Sequence, residues 1–388
     1  MFTRSYYNKL LKEAEKENKV IVVKGVRGAG KTSFLSSYLK GNENNLIFID
    51  FDSCENQHLR EKDALKEYLK ETLILTSSSV ENKTVILISE IQSVANGIEQ
   101  LKFVQRTSYC QIYATSSRGI CSDSDCTVIN MYPMSFREYM EFNGYDVCDR
   151  ERYLIDYMGR TSFIAPCMCD SFELQKTLLE GLKNSIYLND IILTGAIKNN
   201  DAFSRVLRYL MENIGFHISA YNISRELTSS GFKIASDTVD GYLELLCDCN
   251  MVSYCERFDV KKKELLKTNG IYYTGDLGLR ELFIGSKRNF SPMLNLLKNI
   301  VYYELCRLSD RVNTGWNPEV DFIACKDNRV SYYMVDVTLD DKSVLQKQLN
   351  TLSSIRDNYP KYILSLDTED YSSNGIIHKN LTDFLLGK

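Results

Sequence analysis

Residues 19–24 form a short, β-branched apolar run bounded by lysines, the pattern of a buried strand. Residues 33–40 follow with Phe34, Leu35, Tyr38 and Leu39 at helical spacing. Residues 45–51, 84–90 and 111–117 repeat the strand pattern, and residues 65–72 and 98–106 between them are amphipathic at the helical period. Strands that alternate with helices predict an α/β fold with a parallel, doubly wound sheet. Such sheets bind ligands at the carboxyl ends of their strands, where residues 25–32, Glu90 and Ser117 all fall.

From about residue 143 the periodicity turns helical, most strongly over 203–214. Residues 218–227, a Ser230-Gly231 break and a helix from Ser236 to about Leu246 predict a helix–turn–helix. Two strand-like runs, 251–258 and 265–273, follow, with Lys261-Lys262-Lys263 at the turn between them. That order is the outline of a winged helix. The last hundred residues return to mixed structure: a helix over 294–308, strands at 320–324, 332–339 and 362–365, and a helix between the last two strands. The chain has no internal repeat and no low-complexity linker.

Length and composition narrow the picture. A chain of 388 residues is expected to hold two to four domains, and 44% hydrophobic with 25% charged residues is ordinary for globular protein. No apolar run approaches the ~20 residues of a membrane span, and the first residues, Met1 to Tyr7, lack the apolar core of a signal peptide. The expected location is the cytoplasm. The formal charge of −4 gives no global attraction to nucleic acid, so any DNA contact has to come from a local basic patch. The 12 cysteines include only two close pairs, Cys167/Cys169 and Cys247/Cys249, and the three histidines are far apart, so zinc is not expected and reduced thiols are.

Gly25-Val26-Arg27-Gly28-Ala29-Gly30-Lys31-Thr32 supplies the candidate chemistry, because it fits the P-loop pattern between a strand and a helix. Glycines let successive N–H groups curl around phosphate oxygens, and the helix that follows points its positive end at the same anion. In this arrangement Lys31 reaches the β- and γ-phosphates, the Thr32 hydroxyl sits on Mg²⁺, and Ser33 continues the binding segment. ATP and Mg²⁺ are therefore the expected cofactors. Other features are ambiguous at this level. The lysine turn reads either as a solvated hairpin tip or as a DNA-contacting wing, while Asp237, Asp240 and Glu244 on the second helix would repel phosphates. Trp316 reads as a loop anchor or a contact residue, and Arg4 and Tyr7 are placed to flank a nucleotide base.

Taken together, these residues resemble a large prokaryotic family of AAA-type ATP-binding proteins whose C-terminal domain, of unknown function, is related to restriction-endonuclease folds. The resemblance spans nearly the whole chain. Residues 23–32 look like the family's "GVRRxGKS/T" loop, Glu90-Ile91-Gln92 like the end of "DEIQ", and Thr115-Ser116-Ser117 like "TGS". Residues 131–139 are similar to "LxPLSFxEF", residues 273–279 to "YxxDxGL", and residues 299–305 with 319–322 to "NxVYxEL…EIDF". Residues 357–362, Asp-Asn-Tyr-Pro-Lys-Tyr, close the match. It implies a parallel-sheet P-loop domain over 1–142, a helical lid over 143–200, a winged helix-turn-helix over 201–285, and a restriction-endonuclease-like α/β domain over 286–388. Glu90 and Ser117 are the implied catalytic positions, with Glu90 orienting or activating water.

Three departures bear on activity. Ser89 stands where the family has the aspartate of the Mg²⁺ shell, leaving a weak metal position. Spacing puts Ser124-Asp125 where the family has an arginine, a group contributing ~10³ to 10⁵ in rate where it operates, which implies slow hydrolysis unless Arg118 or another subunit compensates. In the last domain Glu304 and Asp321 fit the first two places of a nuclease site, while the third, at Met334-Val335-Asp336, lacks both its first carboxylate and its lysine and leaves Asp336 as a ligand of an altered site, which implies a degenerate site. The expected function is a nucleotide-dependent switch with weak or absent hydrolysis, binding DNA or a protein through its C-terminal modules. An active ATPase coupled to DNA and a metal-dependent nuclease are the alternatives.

Overall fold

The computed structural model describes residues 4–40, 45–76, 83–120, 125–169, 171–285 and 292–388, with Lys267 described by its backbone alone. Ser124, one half of the predicted arginine position, lies outside the described residues, as do Met1 to Thr3.

The first sheet is built from β1 (Val20–Lys24), β2 (Leu46–Asp50), β3 (Thr84–Ser89), β4 (Cys110–Ser116) and β5 (Cys126–Asn130). All pairs are parallel, in the order β2-β3-β4-β1-β5. Residues 20–23 of β1 are fully buried and alternate between two cores. Val20 and Val22 pack with Leu65, Leu69, Leu101 and Val104, while Ile21 and Val23 pack with Tyr7, Leu11, Phe34 and Leu35. The helices behind those side chains are α1 (Ser5–Ala14), α2 (Lys31–Tyr38), α3 (Ala64–Leu75) and α4 (Gly97–Thr107). A strand covered on both faces must be apolar throughout, which is why β1 reads as a continuous Val/Ile run.

After α5 (Phe136–Asn143), whose Ser135 and Glu138 form a capping box, three helices follow: α6 (Arg150–Gly159), α7 (Ile164–Cys167) and α8 (Phe172–Ser185). A single π-helical turn, Ile186–Ile191, extends α8. Next come α9 (Asn200–Glu212), α10 (Ala220–Ser229) and α11 (Ser236–Asp248), packed through Phe203, Val206, Leu210, Ile223, Val239 and Leu246.

The hairpin after α11, β6 (Val252–Asp259) and β7 (Glu264–Thr274), does not stand alone. β6 pairs in parallel with β8 (Arg311–Trp316), so the hairpin belongs to a mixed seven-stranded sheet. The sheet continues through β9 (Val320–Lys326), β10 (Arg329–Val335), β11 (Lys361–Ser365) and β12 (Ile376–Asn380), in the order β12-β11-β10-β9-β8-β6-β7. Between β7 and β8 lie α12 (Leu277–Ile284) and α13 (Met293–Leu308), α14 (Lys342–Ser353) joins β10 to β11, and α15 (Leu381–Leu385) closes the chain. Phe322, Ala324 and Val335 face α13 through Leu297, Ile300 and Val301; Ile323, Tyr332 and Met334 face the opposite side with Leu352 and Ile355. Trp316 ends β8, with the Arg257 guanidinium 4.1 Å from its ring centre.

Candidate functional site

Residues 25–32 connect β1 to α2 as the spacing predicts. Gly28 and Gly30 adopt φ of 86° and 87°, a region costly for residues with a Cβ. A Cβ on Gly25 would lie 1.9 Å from the Met131 carbonyl oxygen, so the loop's first position has room only for glycine. Lys31 opens α2 with its side chain 4% exposed. Its Nζ donates to the carbonyls of Gly25 (2.9 Å) and Val26 (3.2 Å) and to Ser117 Oγ (2.9 Å). Burial, foremost, pushes the Lys31 amine below its ordinary value, and Arg27 adds to this against the pull of Glu90. Ser33 is exposed on the first turn of α2.

Thr32 Oγ1 lies 3.1 Å from Ser89 Oγ and 3.4 Å from Thr115 Oγ1, so the serine at the end of β3 still faces the threonine hydroxyl. That set is all hydroxyl. A magnesium ion here would meet two neutral hydroxyls, those of Thr32 and Ser89, besides phosphate oxygens and water. Glu90 sits just past β3 in a left-handed conformation, φ 59°, with its amide donating to Thr115 Oγ1 at 3.1 Å. Burial raises the Glu90 carboxyl, but the charges of Lys31 and Arg27 and hydrogen bonds from Ser117 and Gln92 outweigh it and hold the group below the usual range.

Arg27, inside the P-loop, is the hub. It donates from Nη1 to Asp52 Oδ2 (2.6 Å), from Nη2 to Glu90 Oε2 (3.1 Å), and from Nε and Nη2 to the two oxygens of Asp190 (2.8 and 3.1 Å). Asp190 lies on the π-helical turn, 1% exposed, where burial raises its carboxyl against the pull of Arg27. The same segment covers the loop: a Cβ on Gly28 would meet Leu182 Cδ1 at 2.7 Å, and Val26 and Ala29 share a core with Phe163, Leu179 and Ile186. Sequence reading missed Asp190. Its one signal is a lone carboxylate in the apolar run 186–192.

Two more ties leave the strand ends. Arg118 Nε donates to Asp248 Oδ2 at 2.8 Å, and the Gly119 amide donates to Oδ1 at 3.0 Å. Asn250 Nδ2 donates to the Ser117 carbonyl at 2.9 Å. Arg118 is thus held on the last residue of α11. Asp125, at the predicted arginine position, pairs with Arg106. Arg4 and Tyr7 do not flank a base site: Tyr7 is fully buried, and Arg4 binds Glu138 and donates to the Ala29 carbonyl at 3.2 Å, bracing the loop from behind.

In the C-terminal part, Glu304 faces Arg307, whose Nη2 donates to the Pro133 carbonyl at 2.8 Å. Burial, the largest influence, raises the Glu304 carboxyl. Asp321 pairs with Lys298 Nζ at 2.5 Å and accepts from the Val335 amide at 2.7 Å; Asp336 accepts from Gln348 Nε2 at 2.9 Å. Each carboxylate therefore has its own donors. Among the described residues, no group of three or more His, Cys, Asp or Glu side chains is placed to hold a metal ion. Lys261, Lys262 and Lys263 are exposed at the β6–β7 turn. No described helix is long and apolar enough to cross a membrane.

Comparison with known proteins agrees with the loop and its sheet. Residues 17–140 match the family described as an AAA domain, and residues 166–289 match a domain of unknown function (DUF8612). The chain carries an AAA-type P-loop domain, a class whose members generally bind ATP with Mg²⁺. It is 28% identical over 385 residues to an uncharacterized protein of Haemophilus influenzae, covering 94% of this chain and 93% of that one. An uncharacterized protein of Methanocaldococcus jannaschii is 25% identical over 336 residues, covering 80% and 73%. Among solved structures, a signal transduction ATPase with numerous domains and a tetratricopeptide repeat sensor, from Pyrococcus horikoshii, is 14% identical at a TM-score of 0.30. That alignment covers 80% of this chain but only 46% of the longer protein. The Thermotoga maritima RuvB Holliday junction branch migration motor is 16% identical at a TM-score of 0.28, covering 64% and 87%.

Proposed function

We propose that this protein is an ATP-dependent switch that hydrolyses ATP slowly or not at all and passes the state of its P-loop to C-terminal modules that bind DNA or a protein. The observation that carries the reading is the pairing of Arg27 in the P-loop with Asp190 in the covering helical segment. A polyphosphate brought to Gly25–Ser33 competes for that guanidinium, so binding and release of the segment are coupled. For such a switch ATP has to bind one arrangement better than the other by a few kcal/mol. Phe203, Ile223, Val239 and Leu246 share the core that holds Val26 and Ala29, which supports a winged helix-turn-helix that follows the lid.

Slow hydrolysis follows from three placements. Ser89 gives the metal no charge, Glu90 is tied by Arg27 and Gln92 (2.7 Å), and Arg118 is held by Asp248. A restriction-endonuclease-like fold kept for packing or binding fits Glu304, Asp321 and Asp336 with their separate donors. Calorimetric titration with ATP, with and without Mg²⁺, is expected to show binding by the wild type and loss of it in Lys31→Ala. Unchanged affinity in that variant would refute nucleotide binding at this loop. Phosphate release at about one per second, within the enzymatic range, and abolished by Glu90→Gln would replace the switch by an active ATPase.

A further inference from the structure

A cavity lined by none of the P-loop residues lies on the face of the seven-stranded sheet that α14 covers only in part. It measures about 930 Å³. Its floor is the period-2 face of three strands: Arg311 on β8, Ile323 on β9, and Val330 and Tyr332 on β10. One wall is the β6–β7 turn, with Lys261 and Lys263; the other is the end of α14 and the residues after it, with Arg356 and Tyr359. The cavity exists because β6 joins β8, which sets the hairpin turn beside the open part of the sheet.

Its charge is unlike that of the chain. Lys261, Lys263, Arg311 and Arg356 line it, all exposed, and none forms an ion pair with a described residue. The one carboxylate in the described lining, Asp357, accepts from Tyr332 Oη (2.7 Å) and pairs with Lys361 Nζ (3.1 Å). Asp259, beneath the turn, is buried and accepts from the amides of Lys261 and Lys262 at 3.0 and 2.9 Å. In a protein of net charge −4, such a concentration of unpaired cations is a local anion site. The half-charge at the carboxyl end of α14 is small beside four cations.

We propose that this groove binds single-stranded nucleic acid. Phosphates would lie against Lys261, Lys263, Arg311 and Arg356, with bases over the apolar floor and against the Tyr359 ring, which is 45% exposed at the rim. The combination selects the ligand: cations on opposing walls fit a repeating phosphate rail, and an apolar and aromatic floor fits flat bases. An acidic peptide offers the charge without the faces. A volume of that size has an edge of about 10 Å, too narrow to take in a base-paired double helix and suited to one strand. This assignment sharpens the reading that the C-terminal half binds nucleic acid, and it is independent of ATP binding at Lys31.

The test is fluorescence anisotropy of the full chain with one mixed-sequence oligonucleotide, as single-stranded DNA, as RNA and as DNA duplex, beside labelled polyglutamate. The single strands are expected to bind and the duplex and polyglutamate to bind at least tenfold more weakly. In the Lys261→Ala/Lys263→Ala variant, the slope of log affinity against log salt should fall by about 1.4, at ~0.7 for each single-strand phosphate that a lysine no longer neutralises. Tyr359→Ala should cost about tenfold, within the range for one stacked base. Lys62→Ala, an exposed lysine on the P-loop domain, should change nothing. Lys31→Ala should still bind the strand, which separates this site from the nucleotide site. Absence of single-strand binding, equal or tighter duplex or polyglutamate binding, or an unchanged salt slope in folded variants, checked by circular dichroism, overturns the proposal.

Discussion

Asp190→Asn tests whether the loop–lid tie sets nucleotide affinity. Arg27 reaches both Asp190 oxygens, at 2.8 and 3.1 Å, and the carboxylate is 1% exposed, so water screens little of the pair. A hydrogen bond to a charged group contributes about 1.5–3 kcal/mol net. Asparagine keeps one acceptor of the same shape and removes the charge, so the tie weakens by about that amount. The substitution also leaves no uncompensated buried charge, whereas Arg27→Ala would leave the buried Asp190 carboxylate without its partner, at a cost of about 3–5 kcal/mol. If ATP must displace the tie, Asp190→Asn should bind ATP about 10- to 150-fold more tightly. The nucleotide-free protein should lose a comparable amount of stability. Calorimetric titration with Mg²⁺·ATP and urea unfolding without nucleotide measure the two quantities. Opposite signs are the signature of competition. A variant that loses both affinity and stability would make Asp190 a strut of the site, and unchanged affinity would refute the reasoning.

Further expectations concern stability. Gly278→Ala on α12 places a Cβ 2.6 Å from the Thr161 amide nitrogen and should cost about 1–3 kcal/mol, because backbone cannot yield as a side chain does. Gly181→Ala on α8, with nothing within 4 Å, should instead stabilise by about 0.5–1 kcal/mol; equal effects in urea unfolding would contradict this packing. Asp276 accepts from the Ser162 amide (2.6 Å), the Ser162 hydroxyl (2.8 Å) and the Leu279 amide (2.6 Å), so Asp276→Ala should cost about 2–4 kcal/mol from a lost cap and a stranded buried donor. His378 Nε2 lies 2.8 Å from Ser365 Oγ, and burial lowers its pKa despite Asp367 and Asp370. A depressed folded value means that this stability is present above the ordinary value of about 6.5 and is lost as pH falls through the folded value. Thermal melts should show that acid-side loss in the wild type and a smaller one in His378→Gln; parallel curves would exclude the histidine.

The P-loop, its strand and its helix were legible because their signals are local: a Val/Ile run, glycines at fixed offsets and a 3.6-residue period within about thirty positions. The pairing of Glu304 with Arg307 was within reach for the same reason, as a three-residue spacing on one helix. β5 and β8 escaped notice because Cys126–Asn130 and Arg311–Trp316 are half polar, and short mixed strands carry little periodicity. The seven-stranded sheet escaped because its key pairing, β6 with β8, joins segments more than fifty positions apart across two helices.

The same long range marks most of the bonds that tie the loop and its neighbouring strand ends to their surroundings. Arg27 to Asp190 spans 163 positions, Arg118 to Asp248 spans 130, Asn250 to Ser117 spans 133, and Arg4 to Ala29 spans 25. An isolated nucleotide site needs none of them, since Gly25 to Thr32 already supplies the cradle, the lysine and the hydroxyl. Asp190 and Arg4, 1% and 3% exposed, are costly there unless paired, and together the bonds join the loop or an adjacent strand end to the covering helices, to the end of α11 and to the residues before α1. In the proposed switch, a ligand that moves Arg27 or Ser117 acts on the covering helices and on the end of α11 together. That coupling favours a switch over an ATPase whose loop works alone, and the opposite signs expected for Asp190→Asn are its direct consequence.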